Sequence, residues 1–551
     1  MSSLDFLHGV EVVEIDDGVR PIRTAKSSII GLVGTAGKGV VNVPALVTGN
    51  RRDGVTQFGK YADDGFTIPE ALAGIYDQIG AMCIVVNVCD PVRHSTAVSN
   101  ETITFGRNFQ AETNFSYVSG ATLGNVWSAI VPLVGQVATL PAGATVSSVK
   151  SADGATTYAT PADYAVAGSV ITFGAGKGPG ADTAVLVTYT ATAAPGVDFV
   201  LDAEQGIYTR VPGGKIAPQA SGKVNYTYVD PTKVTNADVI GGVAQNGEYT
   251  GLYALYASET LWELIPRVLI APRFTHQKAN YVTANPVVSE LLGVANRLKS
   301  IIYADGPNTN DQAAIQYRDD WGSDRIMVVE PFFVTPGPYG TGFKADGTTP
   351  WTVPASVYWA GVTAKVDNDI GFWASPSNKE VSGVIGLART IDFSLGDANC
   401  RANYLNSKDV SVSIRKDGFR TWGNHSTAID PKWTFLCVRR TADMIEESIA
   451  QAHLWAVDRV INQAYFSEVI GSVNAYLRYL KTVGAILGGK AWADRRLNTD
   501  EVIASGQTYI DFDFTAPYPA EHITFRAHLV NDYVREIFSG LASDIITGTQ
   551  N

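Results

Sequence analysis

The segment from Gly31 to Gly39 has the residue types of a phosphate-binding loop. A glycine-rich turn with a lysine, placed directly after a buried strand, can cradle phosphate with its backbone amides. The spacing fails, because Gly37 lies one position too late relative to Gly31 and Gly39 replaces the Ser or Thr that would bind magnesium. The dinucleotide pattern fails too, because no G-x-G pair precedes Gly34. We interpret the segment as a glycine-rich turn and predict that the chain binds no cofactor.

A second group, His425, Ser426 and Asp430, has the residue types of a hydrolase triad. The three residues are crowded into six positions, whereas such triads usually combine distant segments, and the sequence has no G-x-S-x-G nucleophile elbow. None of the seven histidines pairs with another at the i, i+4 spacing, with a glutamate between, that a zinc-binding helix requires. We therefore predict no catalytic and no metal-binding residues, and a protein that is not an enzyme.

Composition argues against several other functions. A chain of 551 residues suggests about three domains, and a net charge of −12 argues against a nucleic-acid-binding surface. No uncharged apolar run is long enough to cross a bilayer, and the first residues lack the regions of a signal peptide. The four cysteines lack zinc spacing, so we predict buried, reduced thiols in a cytoplasmic product: Cys83, Cys89, Cys400 and Cys437.

The sequence falls into three successive patterns, which together predict a multidomain α+β protein. In residues 27–96 and 236–388, buried strands such as Met82–Val88 alternate with helices such as Pro69–Ile79, which predicts an α/β domain with a parallel-type sheet. Residues 97–235 are rich in Gly, Ala, Thr and Val and lack helical spacing. They predict a β-rich inserted outer domain, whose faint internal repeat suggests two units.

The last pattern, residues 389–514, predicts an α+β C-terminal domain. Thr441 is a plausible helix N-cap with Asp443 in the first turn, and an apolar stripe continues from there to Val460. A second apolar stripe follows and predicts another helix, closed by Gly488-Gly489. We interpret both stripes as core packing.

Both ends of the chain look like strands without a local partner, so we predict arms at residues 1–26 and 515–551. The N-terminal run is rich in β-branched residues: Val10, Val12, Val13 and Ile15. The C-terminal run alternates apolar with polar residues: Ile523, Phe525, Ala527 and Leu529. Pro517 and Pro519 prevent a tight hairpin with the strand before them. Two arrangements remain open, pairing of the two ends inside one domain and export of both strands to other copies of the chain.

The last third of the chain resembles the contractile-tail sheath proteins of bacteriophages and of related phage-tail-like bacteriocins. The matching motifs occur in order: Val410-Ser-Val-Ser-Ile414, Gly418-Phe-Arg-Thr-Trp422-Gly423, Asp430-Pro-Lys-Trp433, Val438-Arg439-Arg440 and Ile445-Glu-Glu-Ser-Ile449. An upstream block containing Asp367 and Trp373-Ala-Ser-Pro-Ser-Asn-Lys379 is also similar. Sheaths commonly follow the Trp-Gly pair with arginine and threonine, whereas this chain has Asn424-His425. An inter-strand ion pair made by that arginine is therefore in doubt here.

The resemblance implies a structural function. Sheath subunits form a homo-oligomer, a helical stack of rings around the tail tube, which contracts from a metastable extended state and drives the tube through the host envelope. In the family, terminal arms complete a sheet in the C-terminal domain of neighbouring subunits, so that this domain has exchanged terminal strands. The motif of the receiving domain would comprise seven residues: Gly418, Arg420, Trp422, Gly423, Trp433, Arg439 and Arg440.

The resemblance also implies partners and a location. These are the tail tube protein, the baseplate and the tail terminator, in the virion tail after assembly in the host cytoplasm, with no direct nucleic-acid contact and no membrane insertion. A basic cluster of Lys490, Arg495 and Arg496 either faces an acidic tube surface or is a solvated helix end. The alternatives are the sheath of a bacteriocin or secretion-type injection system and, in another class, an enzyme on the α/β core.

Overall fold

The computed structural model describes residues 21–180, 183–278, 283–344, 346–531 and residue 534. The chain divides into two units, Met1–Pro517 and Tyr518–Asn551. The predicted N-terminal strand with Val10, Val12, Val13 and Ile15 lies outside the described residues.

The helices and strands of the first unit follow in chain order. The first described part forms β1 (Ile30–Gly34), β2 (Ala45–Thr48), α1 (Arg51–Phe58), α2 (Thr67–Gln78) and β3 (Met82–Asn87). The middle part forms β4 (Ser95–Thr104), β5 (Gln110–Glu112), β6 (Val118–Val134), β7 (Val137–Thr139), β8 (Thr145–Ser151), β9 (Thr157–Tyr158), β10 (Tyr164–Ala167), β11 (Val170–Phe173), β12 (Ala184–Thr190), β13 (Phe199–Asp202), β14 (Ile207–Arg210) and β15 (Ser221–Val229). The next part forms α3 (Asn236–Ile240), β16 (Gly242–Val243), β17 (Tyr249–Thr250), α4 (Ser258–Trp262), β18 (Val268–Ile270), α5 (Pro286–Leu298), β19 (Ile301–Asp305), α6 (Asp311–Arg318), β20 (Ile326–Glu330), β21 (Phe333–Val334), β22 (Thr352–Val353), α7 (Ala355–Asp369) and β23 (Gly386–Leu387). The last part forms α8 (Arg401–Asn406), β24 (Val410–Arg415), β25 (Phe419–Trp422), α9 (Leu436–Ala452), α10 (Gln463–Thr482), β26 (Gly488–Trp492), α11 (Asp500–Ala504) and β27 (Asp511–Thr515).

A mixed sheet with the strand order β2-β3-β1-β18-β19-β20-β24-β25 organises the first unit. The strands from β3 to β24 in this order are parallel, whereas β2 and β25 pair antiparallel at the edges. Every residue of β1, β19 and β20 is buried, as expected for parallel strands with helices on both faces. The predicted parallel sheet is therefore present.

Two hydrophobic cores cover this sheet. Val33 of β1 belongs to one core together with Leu291 of α5, whereas its neighbour Leu32 belongs to the other core together with Trp359 of α7. Successive strand residues point to opposite faces, so the two cores lie on the two sides of the sheet. The chain is thus a mixed α and β structure built around a buried parallel sheet.

The sheet continues beyond residue 388, where the sequence analysis placed the end of the α/β domain. β24 pairs in parallel with β20, with Val410 beside Val328, and β25 then closes the edge. Five of the six residues of β24 are buried, so this strand needs cover on both faces and is stabilised inside the large sheet. The boundary at residue 388 was therefore placed too early, because the family motif that begins at Val410 belongs to the same sheet as β1.

The β-rich middle part has a hydrophobic core of its own, around Trp127. Among the described strands, β4 to β15 pair only with one another, and the Trp127 indole donates to the carbonyl of Ala191 at 3.0 Å. The first and last strands are neighbours, with Ser95 beside Val229. The chain therefore enters and leaves this part at one place.

The faint repeat in this part corresponds to two similar hairpins. Asp163 and Asp198 each accept a hydrogen bond from the backbone amide four residues earlier, at 2.8 and 2.7 Å. The next residue is aromatic and begins β10 or β13. A glycine with positive φ, Gly168 or Gly206, then turns the chain into β11 or β14.

The helices of the last part differ from the prediction at their ends. α9 begins at Leu436, so the predicted N-cap Thr441 lies inside the helix, where its hydroxyl donates to the carbonyl of Cys437 at 2.7 Å. α9 also ends at Ala452, eight residues before Val460, which is 79% exposed. The predicted C-terminal end was wrong because the apolar spacing continues into Leu454–Ala456, a short 3-10 helix, after α9 has stopped.

The second helix ends earlier than predicted as well. α10 starts after Asn462, whose side chain accepts from the amide of Tyr465 at 2.8 Å. It ends at Thr482, and Gly484 with φ of +82° follows. Gly488 and Gly489 therefore do not close this helix, because they begin the strand β26.

The predicted C-terminal arm strand is not paired within the described chain. The residues Ile523, Phe525 and Leu529 are 65%, 90% and 101% exposed, and residues 521–530 have no regular secondary structure. A β-strand requires a partner for its backbone groups, and the described residues provide none for this segment. Its pairing with another copy stays a prediction.

Candidate functional site

β26 and β27 form a two-stranded antiparallel sheet beside α10. Phe512 and Phe514 of β27 pack against the core of α9 and α10, whereas Asp511 and Asp513 lie on the other face of the strand, where Asp513 is directly opposite Lys490. A two-stranded sheet has edges whose backbone groups can pair with a further strand. This sheet is the candidate site for assembly.

The two edges of this sheet are not equivalent. Asn474 of α10 donates to the carbonyl of Ala491 at 3.0 Å and accepts from its amide at 2.9 Å. These bonds show that the backbone groups of Ala491 point away from β27. In an antiparallel pair the facing residue, Phe512, then points its backbone groups away from β26, and so does Phe514, two positions further along the strand. The β26 edge is closed at Ala491, whereas β27 pairs with no other described strand.

The last residues of the predicted N-terminal arm are fixed to the same region. Ile22 and Ala25 pack on the core of α9 and α10, the amide of Ala25 donates to the Ser448 hydroxyl at 3.0 Å, and the hydroxyls of Thr24 and Tyr476 lie 3.2 Å apart. Pro21 is the first described residue. The described chain after it is therefore held by α9 and α10.

Three basic side chains at the amino ends of parallel strands meet an acidic stripe on α9, an arrangement that we call the ionic ladder. Each basic residue lies one or two positions before its strand, and the acids are spaced i, i+3 and i+4 on α9, so that they share one face. The ladder comprises Arg325 with Asp443 (2.6 Å), Lys299 with Glu446 (3.0 Å) and Arg267 with Glu447 (3.4 Å). It joins α9 to β18, β19 and β20.

The pair of Arg325 and Asp443 is the most buried rung of the ionic ladder. Both nitrogens of the guanidinium donate to the two carboxylate oxygens, at 2.6 and 2.8 Å, and Arg439 donates to the same carboxylate at 2.8 Å. Burial raises the pKa of Asp443, although the two arginines partly offset this effect. Loss of one partner would leave a buried charge without compensation.

The predicted receiving-domain motif is divided between two places. Arg439 stacks on Trp433, with 4.3 Å from Cζ to the ring centroid, and joins the ionic ladder through Asp443. Arg440 is 3% exposed and forms a bidentate pair with Asp367, at 2.8 and 2.5 Å. Both arginines therefore bind within the chain and hold α9 in place.

The other motif residues lie in the hairpin of β24 and β25. Gly418 has φ of +97° and forms the turn, and Arg420 donates to the carbonyl of Lys416 at 3.0 Å. Trp422 packs edge-on against Phe393. Their predicted place in a domain that receives arms stays a prediction.

Gly423 is required by close packing in this hairpin. It has φ of +146°, and a Cβ there would lie 2.4 Å from the Ser411 hydroxyl. Its amide donates to the hydroxyl of Ser377, in the upstream block, at 3.0 Å. Two residues after it, the His425 imidazole contacts the Asp409 carboxylate at 2.9 Å. The two sequence blocks that resemble sheath proteins therefore contact each other.

The basic cluster is exposed but not continuous. Lys490 lies in β26, whereas Arg495 and Arg496 lie in the turn after it, and Arg496 pairs with Asp494 at 3.0 Å. Its predicted contact with a tail tube stays a prediction.

The glycine-rich loop after β1 is filled by side chains of the protein. The amide of Thr35 donates to the Thr67 hydroxyl, and the amide of Ala36 to Asn87, both at 2.9 Å. A Cβ on Gly37 would lie 2.2 Å from the ring of Tyr117, which comes from the β-rich middle part. These two loop amides are therefore bound by side chains of the protein, as expected for a structural turn.

The other chemical candidates are also engaged internally. Ser426 donates to the carbonyls of Trp433 and Thr434 at 3.1 Å, and the four cysteines are free and buried. Burial raises the pKa of Cys83 and Cys89 to about 12. Within the described residues, no cluster of acidic, histidine or cysteine side chains could hold a metal ion, and no helix combines the length and hydropathy of a membrane span.

The sequence analysis missed the ionic ladder and β26. The acids of the ladder were visible at i, i+3 and i+4 in α9, and each base directly precedes a strand, but partners more than one hundred residues apart cannot be paired from spacing alone. β26 was missed because two of its five residues are glycines.

Comparison with known proteins gives matches over most of the chain. The family model described as phage tail sheath protein central domain matches residues 232–427, and the one described as phage tail sheath C-terminal domain matches residues 429–529. The tail sheath protein of Burkholderia phage BcepMu is 33% identical over 550 residues, covering 97% of this chain and 99% of that protein. The tail sheath protein of Escherichia phage P2 is 30% identical over 311 residues, which cover 56% of this chain and 75% of that protein.

A solved structure shares the fold. The helical sheath of the anti-feeding prophage (AFP) in the contracted state has a TM-score of 0.52 and 15% identity, covering 96% of this chain and 99% of that one. The β-rich middle part precedes residue 232 and so lies outside both family models, whereas the ionic ladder, β26 and β27 lie inside them.

Proposed function

Because this chain belongs to the phage tail sheath family, we propose that it is the subunit of a helical contractile tube around the tail tube of a phage. The observation that carries this proposal is the two-stranded sheet of β26 and β27, open along β27, in a chain whose C-terminal segment has strand spacing and exposed apolar side chains. An open edge and an unpaired strand in one chain favour exchange between copies.

In the proposed tube, the terminal arms of each subunit complete the sheets of its neighbours. The C-terminal arm contributes Ile523, Phe525, Ala527 and Leu529, and the N-terminal arm contributes the run from Val10 to Ile15. Such head-to-tail contacts do not close on themselves and so generate a helical assembly. Main-chain hydrogen bonds between copies would persist while the globular bodies move.

Contraction would then release energy stored at assembly. The extended lattice is metastable and relaxes to one with more buried interface, which moves the tube through the host envelope during genome delivery. The ionic ladder supports this proposal, because it would make α9 and the large sheet move together.

The proposed partners are further copies of the chain, the tail tube protein, the baseplate and the tail terminator, in the virion tail. Lys490, Arg495 and Arg496 are the proposed contact with the tube. The BcepMu protein, similar over nearly the whole chain, favours a phage tail over a bacteriocin or secretion-type injection system.

Electron microscopy of the purified protein in negative stain tests this function. We expect hollow tubes from the full chain, and soluble particles with unchanged helical content after deletion of Tyr518–Asn551, a deletion that leaves β27 intact. A matched control removes residues 541–551 only and should retain the tubes. Full-length protein that stays monomeric at high concentration would contradict the proposal.

A further inference from the structure

We infer that the glycine-rich loop after β1 forms a socket for a phenol ring, which the chain fills with its own Tyr117, and that this ring fixes the β-rich middle part on the body. The body is the part of the first unit that is built around the large sheet, and the socket comprises Gly37, Gly59 and Phe66. This inference goes beyond the proposed function and does not depend on it. It gives a role to a loop that fits neither nucleotide-binding pattern.

Two glycines make room for the ring. A Cβ on Gly37 would lie 2.2 Å from the ring of Tyr117, and a Cβ on Gly59, directly after α1, would overlap the Tyr117 hydroxyl. Apart from the chain neighbours of Gly37, the three atoms nearest to its Cβ would all belong to that ring, and the φ of Gly37 is not left-handed. The missing side chain of Gly37 is therefore needed for the close approach of the ring and not for the turn of the chain.

Tyr117 contributes its ring to the core of the body. It packs against the core around Val33 and Leu291, and Phe66 meets its ring edge-on, with 5.3 Å between the centroids and 87° between the planes. The backbone of Tyr117 has φ of +53°, a left-handed conformation that bulky residues rarely adopt. The contacts of the ring in the socket offset this unfavourable conformation. The ring therefore joins the β-rich middle part to the body by burial.

Three neighbouring strands of the β-rich middle part end at the body, in the order β4-β15-β6. β4 and β15 continue directly into the body, and their ends are paired at Ser95 and Val229, so these two attachments lie side by side. β6 begins opposite Tyr228, directly after Tyr117. Two adjacent attachments leave a rotation about the line that joins them. The ring of Tyr117 attaches the third strand and so prevents this rotation.

The polar contacts beside the socket are weaker than the ring. Lys38 and Glu204 pair at 2.6 Å, but their side chains are 38% and 55% exposed, and ion pairs this exposed contribute little. The Ser116 hydroxyl donates to the Asp64 carboxylate at 3.3 Å, which is long for a hydrogen bond. A buried aromatic ring contributes more than either contact. The orientation of the β-rich middle part therefore depends on Tyr117.

The distance between two spin labels tests this orientation. Val134 of the β-rich middle part and Val243 of the body are 82% and 64% exposed, and the native thiols are buried, so Val134→Cys with Val243→Cys gives two accessible labelling sites. Labelled full-length chain is diluted into unlabelled chain, so that each distance comes from one molecule, with or without assembly. The otherwise unmodified chain should give one narrow distance distribution by pulsed electron paramagnetic resonance.

Loss of the ring should abolish the narrow distribution. Tyr117→Ala empties the socket and Gly37→Ala fills it from the side of the body, so both should give a broad distribution, whereas Tyr117→Phe keeps the ring and should stay narrow. Two controls should also stay narrow. Phe115→Ala removes a ring that stacks on Tyr228, with 3.8 Å between the centroids, inside the β-rich middle part. Gly293→Ala adds a Cβ that has no other atom within 4 Å.

Chemical complementation tests whether the socket selects a phenol ring. p-Cresol is the tyrosine side chain without its backbone, and an apolar cavity left by truncation can bind a ring of matching size. At about 10 mM it should restore the narrow distribution of Tyr117→Ala. It should have no effect on Tyr117→Ala combined with Gly37→Ala, because the added methyl group takes the space of the ring.

Each outcome decides for or against the socket. A narrow distribution in Tyr117→Ala would overturn the inference, and so would p-cresol that acts equally on the single and the double variant. Circular dichroism checks folding, and loss of folding in Tyr117→Ala or Gly37→Ala would also overturn it, because the ring would then support the fold and not the orientation. None of these readouts requires tubes, so failure of the proposed function would leave them unchanged.

Discussion

Individual buried charges hold this protein together where the sequence showed only a motif. Asp443 receives two arginines from different elements, and Arg440 pairs with Asp367 from α7. The Arg325 pair links α9 to the start of β20, the Arg440 pair links α9 to α7, and the Arg439 pair lies within α9. The family motif Val438-Arg439-Arg440 is therefore explained by the internal attachment of α9.

Removal of the Asp443 carboxylate should be strongly destabilising. Asp443→Ala leaves Arg325 and Arg439 buried without their partner, which costs about 3–5 kcal/mol. The control is Glu468→Ala, which breaks the exposed pair with Arg459 (45% and 48% exposed side chains) and should cost less than about 1 kcal/mol. Urea denaturation followed by circular dichroism compares the two. Equal losses would contradict the importance assigned to the ionic ladder.

The Asp305 carboxyl at the end of β19 should make stability depend on pH. It is fully buried, accepts from the amide of Ser356 at 2.8 Å, and burial raises its pKa to about 6. The folded state therefore holds this proton more tightly than the unfolded state. The resulting stabilisation is fully present below the unfolded-state pKa and is lost as the pH rises through about 6.

Asp305→Asn imitates the protonated carboxyl and should remove this dependence. We expect the melting temperature of the variant minus that of the unmodified protein to increase from pH 4 to pH 7. The increase should correspond to about 2–3 kcal/mol in the free energy of unfolding. Scanning calorimetry at several pH values measures the difference. A difference that stays constant across this range would contradict the assignment.

At the level of elements, the prediction was accurate where local residues determine the outcome. The predicted helix Pro69–Ile79 is α2, Thr67–Gln78, which begins two residues before the proline and ends one residue before the predicted end. Met82–Asn87 is the predicted buried strand, one residue shorter. Continuous apolar runs of this length require burial on both faces, which is a local property.

The errors occur where tertiary contacts override local preference. Thr441 and Asp443 look like a helix start, yet the threonine bonds back to its own helix and the aspartate pairs with Arg325, from another element. The edge pairing of β24 with β20 and that of β26 with β27 join residues distant in sequence or poor in β-propensity. The internal contacts of the candidate assembly site were unpredictable for the same reason.

On the scale of the whole molecule, the β-rich middle part is an addition to a body that does not depend on its strands. Its core is separate, and Ser95 and Val229 are paired neighbours where the chain enters and leaves. Tyr117 rests edge-on against Phe66, 5.3 Å between ring centroids, and Lys38 pairs with Glu204 at 2.6 Å. These contacts position the added part on the body.

Replacement of residues 96–228 by a short Gly-Ser linker should leave a folded body that still forms tubes. Antiparallel neighbours such as Ser95 and Val229 have Cα atoms about 5 Å apart, so a few residues close the gap without strain. Circular dichroism and negative stain check folding and assembly, with the full chain as control. A folded variant without tubes would show that this part carries contacts between copies.

The side chain of Asn474 has a consequence for how the sheet of β26 and β27 can associate. A subunit with two open sheet edges could bind strands on both sides, and its assemblies could branch or fuse laterally. Asn474 occupies the amide and the carbonyl of Ala491, so a strand that joined this sheet at β26 would lack two main-chain hydrogen bonds there. One amide side chain on α10 thereby makes β26 a weaker edge than β27 for unwanted lateral association.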